Sequence, residues 1–238
     1  MQQIKEETVR YWTKRVEQFS ALRKKEFSGE KHDQWLQELE RYLPHKSGLS
    51  ILDIGTGTGF FALLLAAASH HVTGIDLTAD MIEGAKRISA SLQLPATFLV
   101  MDAEAPAFAP ASFDAIVTRN LTWCLPHLPE AYCAWHRLLK PGGLLLNFDA
   151  DYCREAPAPA LPAHHAHQNI EPSLMEAYEA IKASLRSCQQ PRPQWDVALL
   201  KQAGFRDITV DPTVWKRIYN KQDEFFNPTP IFTIAARA

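Results

Sequence analysis

The stretch Ile51-Leu52-Asp53-Ile54-Gly55-Thr56-Gly57-Thr58-Gly59-Phe60 constrains the fold of this chain more than any other. A short apolar run, Leu49 to Ile54, ends on a cluster of glycines, and the strongly apolar segment Phe60 to Ala68 follows at once. Glycine adopts positive φ without steric cost, so such a cluster lets the backbone turn sharply and approach a ligand closely. The helix that follows presents free N–H groups at its first turn. Strand, glycine loop and helix in this order predict a ligand site at the carboxyl end of a parallel sheet, where the strand order reverses. The spacing narrows the ligand. A dinucleotide fingerprint has the form G-x-G-x-x-G, and its third glycine would stand where Phe60 stands. Asp53, two residues before the first glycine, puts a carboxylate at the strand end. That charge opposes a pyrophosphate and suits a ligand carrying an ammonium and a sulfonium. A glycine-rich turn without a ligand is the plain alternative.

The pattern on either side is an alternation of helix and strand. Val9, Trp12, Val16 and Phe19 recur at spacings of three and four, which predicts an amphipathic helix over Lys5 to Phe27. A second helix, Lys31 to Leu43, stops at Pro44. After the glycine loop come strand His71–Ile75, helix Ala79–Leu92, strands Thr97–Val100 and Asp114–Thr118, and helix Glu130–Leu139. The turn Pro141-Gly142-Gly143 and strand Leu144–Phe148 follow. This alternation predicts an α/β fold, a parallel sheet covered by helices on both faces. Cys153 to Ile170 is rich in Pro, Ala and His and reads as an irregular loop or lid. Pro172–Arg186 and Asp196–Ala203 read as helices, and Arg206–Val210 and Ile231–Ala235 as closing strands.

Composition removes whole classes of function. The 238 residues carry 25 Lys+Arg against 27 Asp+Glu, a net charge of −2 without a basic stripe, which argues against a nucleic-acid partner. The longest apolar run, Phe60 to Ala68, is about half of a membrane span. Met1 to Arg15 mixes charges and has no apolar core of a signal peptide. Cys124, Cys133, Cys153 and Cys188 show no paired spacing and read as free thiols, so the expected compartment is the cytoplasm.

Two further acids stand at successive strand ends. Asp76 closes the second strand, where a carboxylate accepts both hydroxyls of a ribose; its plain role is a helix cap. Asp102 follows the third strand, placed to accept the exocyclic amine of an adenine with the Ala103 N–H as donor to a ring nitrogen; Asp there is also ordinary turn chemistry.

This arrangement resembles the class I S-adenosylmethionine-dependent methyltransferases of the small-molecule type. The matching pieces are Leu52 to Gly59, Asp76, Asp102-Ala103, Phe113 to Val117 and Trp135 to Gly143, with a looser match at Leu199 to Phe205. The resemblance implies a doubly wound, seven-stranded, mostly parallel sheet with a terminal antiparallel strand. It also implies four parts: N-terminal helices forming a gate (1–48), a cofactor half (49–150), a lid inserted after strand five (151–195), and a closing helix and strands (196–238). The implied cofactor is S-adenosyl-L-methionine, with S-adenosyl-L-homocysteine as product. Asp53 is expected near the methionine amino group, Gly55, Thr56 and Gly57 as the wall, Asp76 on the ribose and Leu77 on the adenine face. Asp102 and Ala103 are expected at the adenine edge, and Arg119, Asn120 and Leu121 at the methionine end. Tyr11 and Trp12 resemble an aromatic pair that closes over the cofactor; Trp12 fits the apolar stripe as core, which leaves Tyr11 as the contact.

The acceptor is less legible. A hydroxyl, a protonated amine or a carbon acid needs a general base, and a thiolate or free amine needs little help. Asp149, Asp151, Tyr152 and His127 are the candidates, with Asn120 and Trp123 nearby; turn and cap formation is the plain role of the two acids. His164, His165 and His167, with Cys153 or Glu171, have metal-binding chemistry but no fixed geometry, so no metal is expected. His136 and Cys124 read as structural. A nicotinamide-dependent oxidoreductase is the competing enzyme and predicts a glycine at position 60 and a Tyr-x-x-x-Lys pair. A non-catalytic cofactor binder is the other alternative.

Overall fold

The computed structural model describes residues 2–154, 162, 170–185 and 189–238. Its strands are β1 (Ser50–Ile54), β2 (His71–Asp76), β3 (Thr97–Val100), β4 (Phe113–Arg119), β5 (Leu139–Ala150), β6 (Arg206–Asp211) and β7 (Ile231–Arg237). They form one sheet in the order β3-β2-β1-β4-β5-β7-β6. The first five are parallel, and β7 runs antiparallel between β5 and β6. The strand order reverses between β1 and β4, so a crevice opens beyond their carboxyl ends.

The helices are α1 (Gln2–Ser28), α2 (Glu30–Glu40), α3 (Phe60–Ala67), α4 (Ala79–Leu92), α5 (Leu128–Leu138), α6 (Pro172–Ser184), α7 (Gln194–Gln202) and α8 (Val214–Ile218). β1 shows why both faces must be covered. Ile51 joins the core that Trp35, Phe61 and Leu64 form on one side of the sheet. Leu52 and Ile54 join Tyr132, Trp135 and Leu200 on the other. Successive side chains of a strand point to opposite faces, so a run apolar at both parities belongs to a strand buried twice. Asp53 points to the α3 side with Ile51, and there it meets the start of α3.

The expected order of elements holds, and three details differ. Pro141-Gly142-Gly143 lies within β5: the pairing passes from Phe113↔Leu139 to Ala115↔Leu144, so the turn chemistry makes a bulge instead of a loop. The short α8 and a 3-10 turn at Thr122–Cys124 carry too few residues to show a period. Cys153 is disulfide-bonded, which corrects the expectation of four free thiols, while Cys124 and Cys133 are free. Among the described residues no helix is long and apolar enough to cross a membrane.

Candidate functional site

A cavity of about 460 Å³ occupies the crevice. Its floor is the glycine loop. Gly55, Gly57 and Gly59 have φ of +70°, +54° and +89°, the left-handed region that side chains disfavour. Gly55 is also crowded: a Cβ there would stand 2.8 Å from the Leu121 side chain. The loop is thus fixed by backbone conformation and by contact with the residues after β4.

The three acids at the ends of β1, β2 and β3 all line this cavity. Asp53 is buried and accepts hydrogen bonds from Thr56 Oγ1 (2.6 Å) and the Ala62 amide (3.0 Å), both at Oδ2. Burial pushes its carboxyl up to about 6, against the pull of these bonds and of Arg119. Asp76 braces the loop itself, accepting from the Gly57 amide (3.0 Å) and the Thr78 amide (2.9 Å); burial raises its pKa as well. Asp102 accepts from the Glu104 amide (2.9 Å) and from Lys5 Nζ (2.6 Å), which reaches it from α1. Thr56, Leu77, Ala103 and Leu121 complete this part of the wall, and the Ala103 carbonyl is held by the Trp135 indole (2.8 Å).

Arg119 and Asn120 end β4. The Arg119 guanidinium meets Glu26 of α1 with two bonds (3.0 and 3.3 Å), and it lies against the rings of Trp35, Phe60 and Phe61. Asn120 takes a positive φ of +55° and accepts a hydrogen bond from Tyr152 Oη (2.8 Å). Tyr152 in turn accepts from Asn227 Nδ2 (3.0 Å), so one polar chain links the ends of β4 and β5 to the loop before β7.

α1 roofs the cavity. Tyr11 lines it, with its hydroxyl held by Arg15 (3.1 Å) and its ring packed on Tyr178 of α6 at 5.6 Å. Trp12 also lines it, as do Val9 and Phe19. The apolar stripe that reads as core is therefore largely the roof of the cavity, which corrects the assignment of Trp12 to the interior.

Of the four catalytic candidates, Tyr152 alone lines the cavity. Asp149 is fully buried beneath it and accepts from Thr122 Oγ1, the Trp123 amide (2.9 Å) and Arg192 (3.3 Å). It fixes the 120–124 segment from below. Asp151 turns to the Arg192 amide (3.4 Å) and to Arg154 (3.4 Å). His127 points away, and its ring meets Glu104 (2.9 Å). Cys124 does line the cavity, but burial pushes its thiol well up and its Sγ donates to the Leu121 carbonyl (3.1 Å), a packing arrangement. The histidine cluster His164, His165 and His167 lies outside the described residues. Tyr178 and Lys182 stand at the Tyr-x-x-x-Lys spacing of the competing enzyme. Lys182 is absent from the cavity wall and pairs with Glu179 (2.7 Å), so the pair does not present both groups to a ligand.

Lys5, Arg23 and Glu26 were not legible beforehand. All three line the cavity, and each meets partners far away in the sequence or in a neighbouring turn of α1. A charge on an amphipathic helix has the sequence signature of a solvated face. The only local hint is that Arg23 and Glu26 fall one turn apart and follow the Phe19 stripe.

A family profile described as "Methyltransferase domain" matches residues 51–143, the segment from β1 into β5. Phosphoethanolamine N-methyltransferase 1 of Arabidopsis thaliana is 28% identical over 167 residues, covering 70% of this chain and 30% of that protein. Malonyl-[acyl-carrier protein] O-methyltransferase of Erwinia billingiae is 35% identical over 160 residues, covering 59% and 61%. This chain thus spans less than two thirds of either relative's length. Among solved structures, phosphoethanolamine N-methyltransferase 2 of Haemonchus contortus, in complex with S-adenosyl-L-methionine, superposes with a TM-score of 0.61 at 22% identity. That match covers 86% of this chain and 52% of the other. With the glycine loop, the strand order and the matched segment in agreement, residues 51–143 belong to the methyltransferase-domain family, on a sheet that shares its fold with the S-adenosyl-L-methionine-bound structure.

Proposed function

We propose that this chain binds S-adenosyl-L-methionine in the cavity and transfers its methyl group to a small-molecule acceptor by in-line displacement, leaving S-adenosyl-L-homocysteine. The observation that carries this reading is the charge of the wall. Glu26, Asp53, Asp76, Asp102 and Glu224 face Lys5, Arg23 and Arg119. An excess of carboxylates around a glycine loop repels a pyrophosphate and attracts a cation. The same donor set fits the cofactor piece by piece.

Each residue then has a task. Asp53 receives the ammonium, and its unbonded Oδ1 is available for it. Asp76 takes the ribose hydroxyls with the lone pairs left by Gly57 and Thr78. Asp102 shares its carboxylate between Lys5 and the adenine amine, beside the Ala103 amide, and Leu77 covers the ring. Gly55, Thr56 and Gly57 supply the backbone wall. Arg119, Asn120 and Leu121 border the methionine end, and Tyr11 closes over it from α1. The bound cofactor supplies an electrophilic methyl on its sulfonium. What the protein adds is alignment of the nucleophile and exclusion of water.

Tyr152 is the group to orient the acceptor. Burial raises its phenol well above the ordinary value, so it serves as a hydrogen-bonding group and not as a base. The nucleophile therefore arrives with its own lone pair available. Trp123, Tyr178, Tyr219 and Phe226 give the remaining wall an aromatic character suited to a small organic acceptor. The four-part division into gate, cofactor half, lid and closing strands belongs to the same proposal, with α1 as gate and α6 in the lid. So does the cytoplasm as compartment, although the disulfide at Cys153 weighs against it.

The test is transfer itself. Protein incubated with methyl-labelled S-adenosyl-L-methionine and a metabolite extract is expected to place label in a small organic compound and to accumulate S-adenosyl-L-homocysteine. Tight cofactor binding with no label in any compound would contradict transfer and favour a non-catalytic binder.

A further inference from the structure

One buried cation in the cavity wall is left incompletely used. Glu26 stands between two guanidiniums. Arg119 approaches it with two bonds, Arg23 Nη1 meets Oε2, and the Trp35 indole donates to Oε1 (3.2 Å). Both carboxylate oxygens are thus saturated. Two positive charges share one negative charge, and the cluster keeps a net charge of one positive unit in the cavity wall.

The two arginines are not equivalent. Arg119 is spent: its fork is taken by Glu26, and three aromatic rings lie within 5.0 Å of its guanidinium carbon. Arg23 gives Glu26 one nitrogen only. Its side chain is 14% exposed, its guanidinium lies over the Phe19 ring at 4.5 Å, and its Nε is buried with no hydrogen-bond partner among the described residues. A buried donor without a partner is costly and rare. Burial also pushes the Arg23 guanidinium down to about 10, the direction expected of a cation lacking full compensation.

The charges opposite complete the picture. Asp53 lies close enough to Arg119 for the two to influence each other's ionisation, and Arg119 shares Glu26 with Arg23, all four residues lining one cavity. An anionic carboxylate beside a cation with a free donor is the complement of an α-amino acid zwitterion. We infer that Arg23, a residue of α1, reads the α-carboxylate of the methionine moiety, while Glu26, itself held by Arg119, keeps Arg23 in place. This rests on the cofactor assignment above and goes beyond it. It assigns the carboxylate to the roof helix, not to Arg119 at the end of β4, and so makes recognition of the amino-acid end depend on α1 being closed.

The test compares two sulfonium ligands that differ only in that carboxylate, S-adenosyl-L-methionine and its decarboxylated form. Both are titrated calorimetrically into the wild type and into Arg23→Met, which keeps the stem packed on Phe19. Glu26 retains Arg119 and Trp35 in the variant, and a thermal melt checks that the fold is kept. The expected result is that Arg23→Met binds S-adenosyl-L-methionine about tenfold more weakly, the usual weight of a charge-assisted hydrogen bond, with the decarboxylated ligand unaffected. Arg23→Lys is expected to restore part of the difference. An equal loss for both ligands would make Arg23 a part of the wall only, and no loss for either would remove it from recognition; both outcomes overturn the inference. If the wild type binds neither ligand, the cofactor assignment fails first, and this one with it.

Discussion

Asp53 shows how a single buried side chain ties fold to ligand. Its carboxyl is held up to about 6 by burial, so the folded protein binds a proton there that the unfolded chain, near the ordinary value of 3.8, does not. Between those two values stability falls as pH rises, and above about 6 the ionised group is a constant cost to the fold. A ligand ammonium needs the ionised form. Affinity for S-adenosyl-L-homocysteine is therefore predicted to rise as pH passes upward through about 6 and then to level off. Titrations between about pH 5 and 8 check this, and Asp53→Asn should lose the step; an unchanged step would place the titrating group elsewhere. Gly55→Ala tests the loop at the same scale. The left-handed φ alone costs about 1–2 kcal/mol for alanine, and the contact with Leu121 adds to it. Denaturant unfolding should show at least that loss.

Some of these residues were legible in the sequence because their roles are local. Asp53, Gly55 and Asp76 act within a few residues of a strand end, where spacing is enough. Asp149 and His127 misled because strand-end polarity looks the same whether it faces a cavity or a buried network. What decided their fate was Arg192 and Glu104, which lie far away in sequence.

Elements explain how such residues are kept in register. α1 is pinned at one end by Lys5 to Asp102 and Glu104, and near the other by Glu26 to Arg119. Both anchor points include residues assigned to the cofactor under the proposed function, which would couple closure of α1 to ligand binding. Amide exchange along α1 is predicted to slow when S-adenosyl-L-homocysteine is added, with β1 and β4 little changed; exchange in α1 that ignores the ligand would rule out its role as a gate. Beneath the site, Asp149 and Asp196 share the buried Arg192, whose nitrogens also reach Thr122 Oγ1 (2.6 Å). Removing the shared cation would leave two buried carboxylates uncompensated. Arg192→Met is predicted to destabilise by about 3–5 kcal/mol in denaturant unfolding, and a loss below about 1 kcal/mol would show the network to be dispensable. Helices and strands with a full period were readable in advance. The 3-10 turn and α8 were not, since neither is long enough to repeat a pattern.

At the scale of the whole molecule, the reversal of strand order between β1 and β4 creates the crevice, and under the proposed function the charges placed around it select the ligand. The chain's net charge of −2 says little by itself. Its distribution says more, because carboxylates outnumber cations in the cavity wall. The topology followed from alternating apolar runs and one glycine loop. The roof did not, since α1 contacts the sheet through charges whose partners the linear pattern does not reveal. The most direct measurement is a calorimetric titration of S-adenosyl-L-homocysteine and of NAD into the wild type and into Asp76→Ala. Saturable binding of S-adenosyl-L-homocysteine alone is predicted, weakened about tenfold or more in Asp76→Ala by the loss of two charge-assisted hydrogen bonds to the ribose. Binding of NAD in its place, or an affinity for S-adenosyl-L-homocysteine that Asp76→Ala leaves unchanged, would contradict the cofactor site described above.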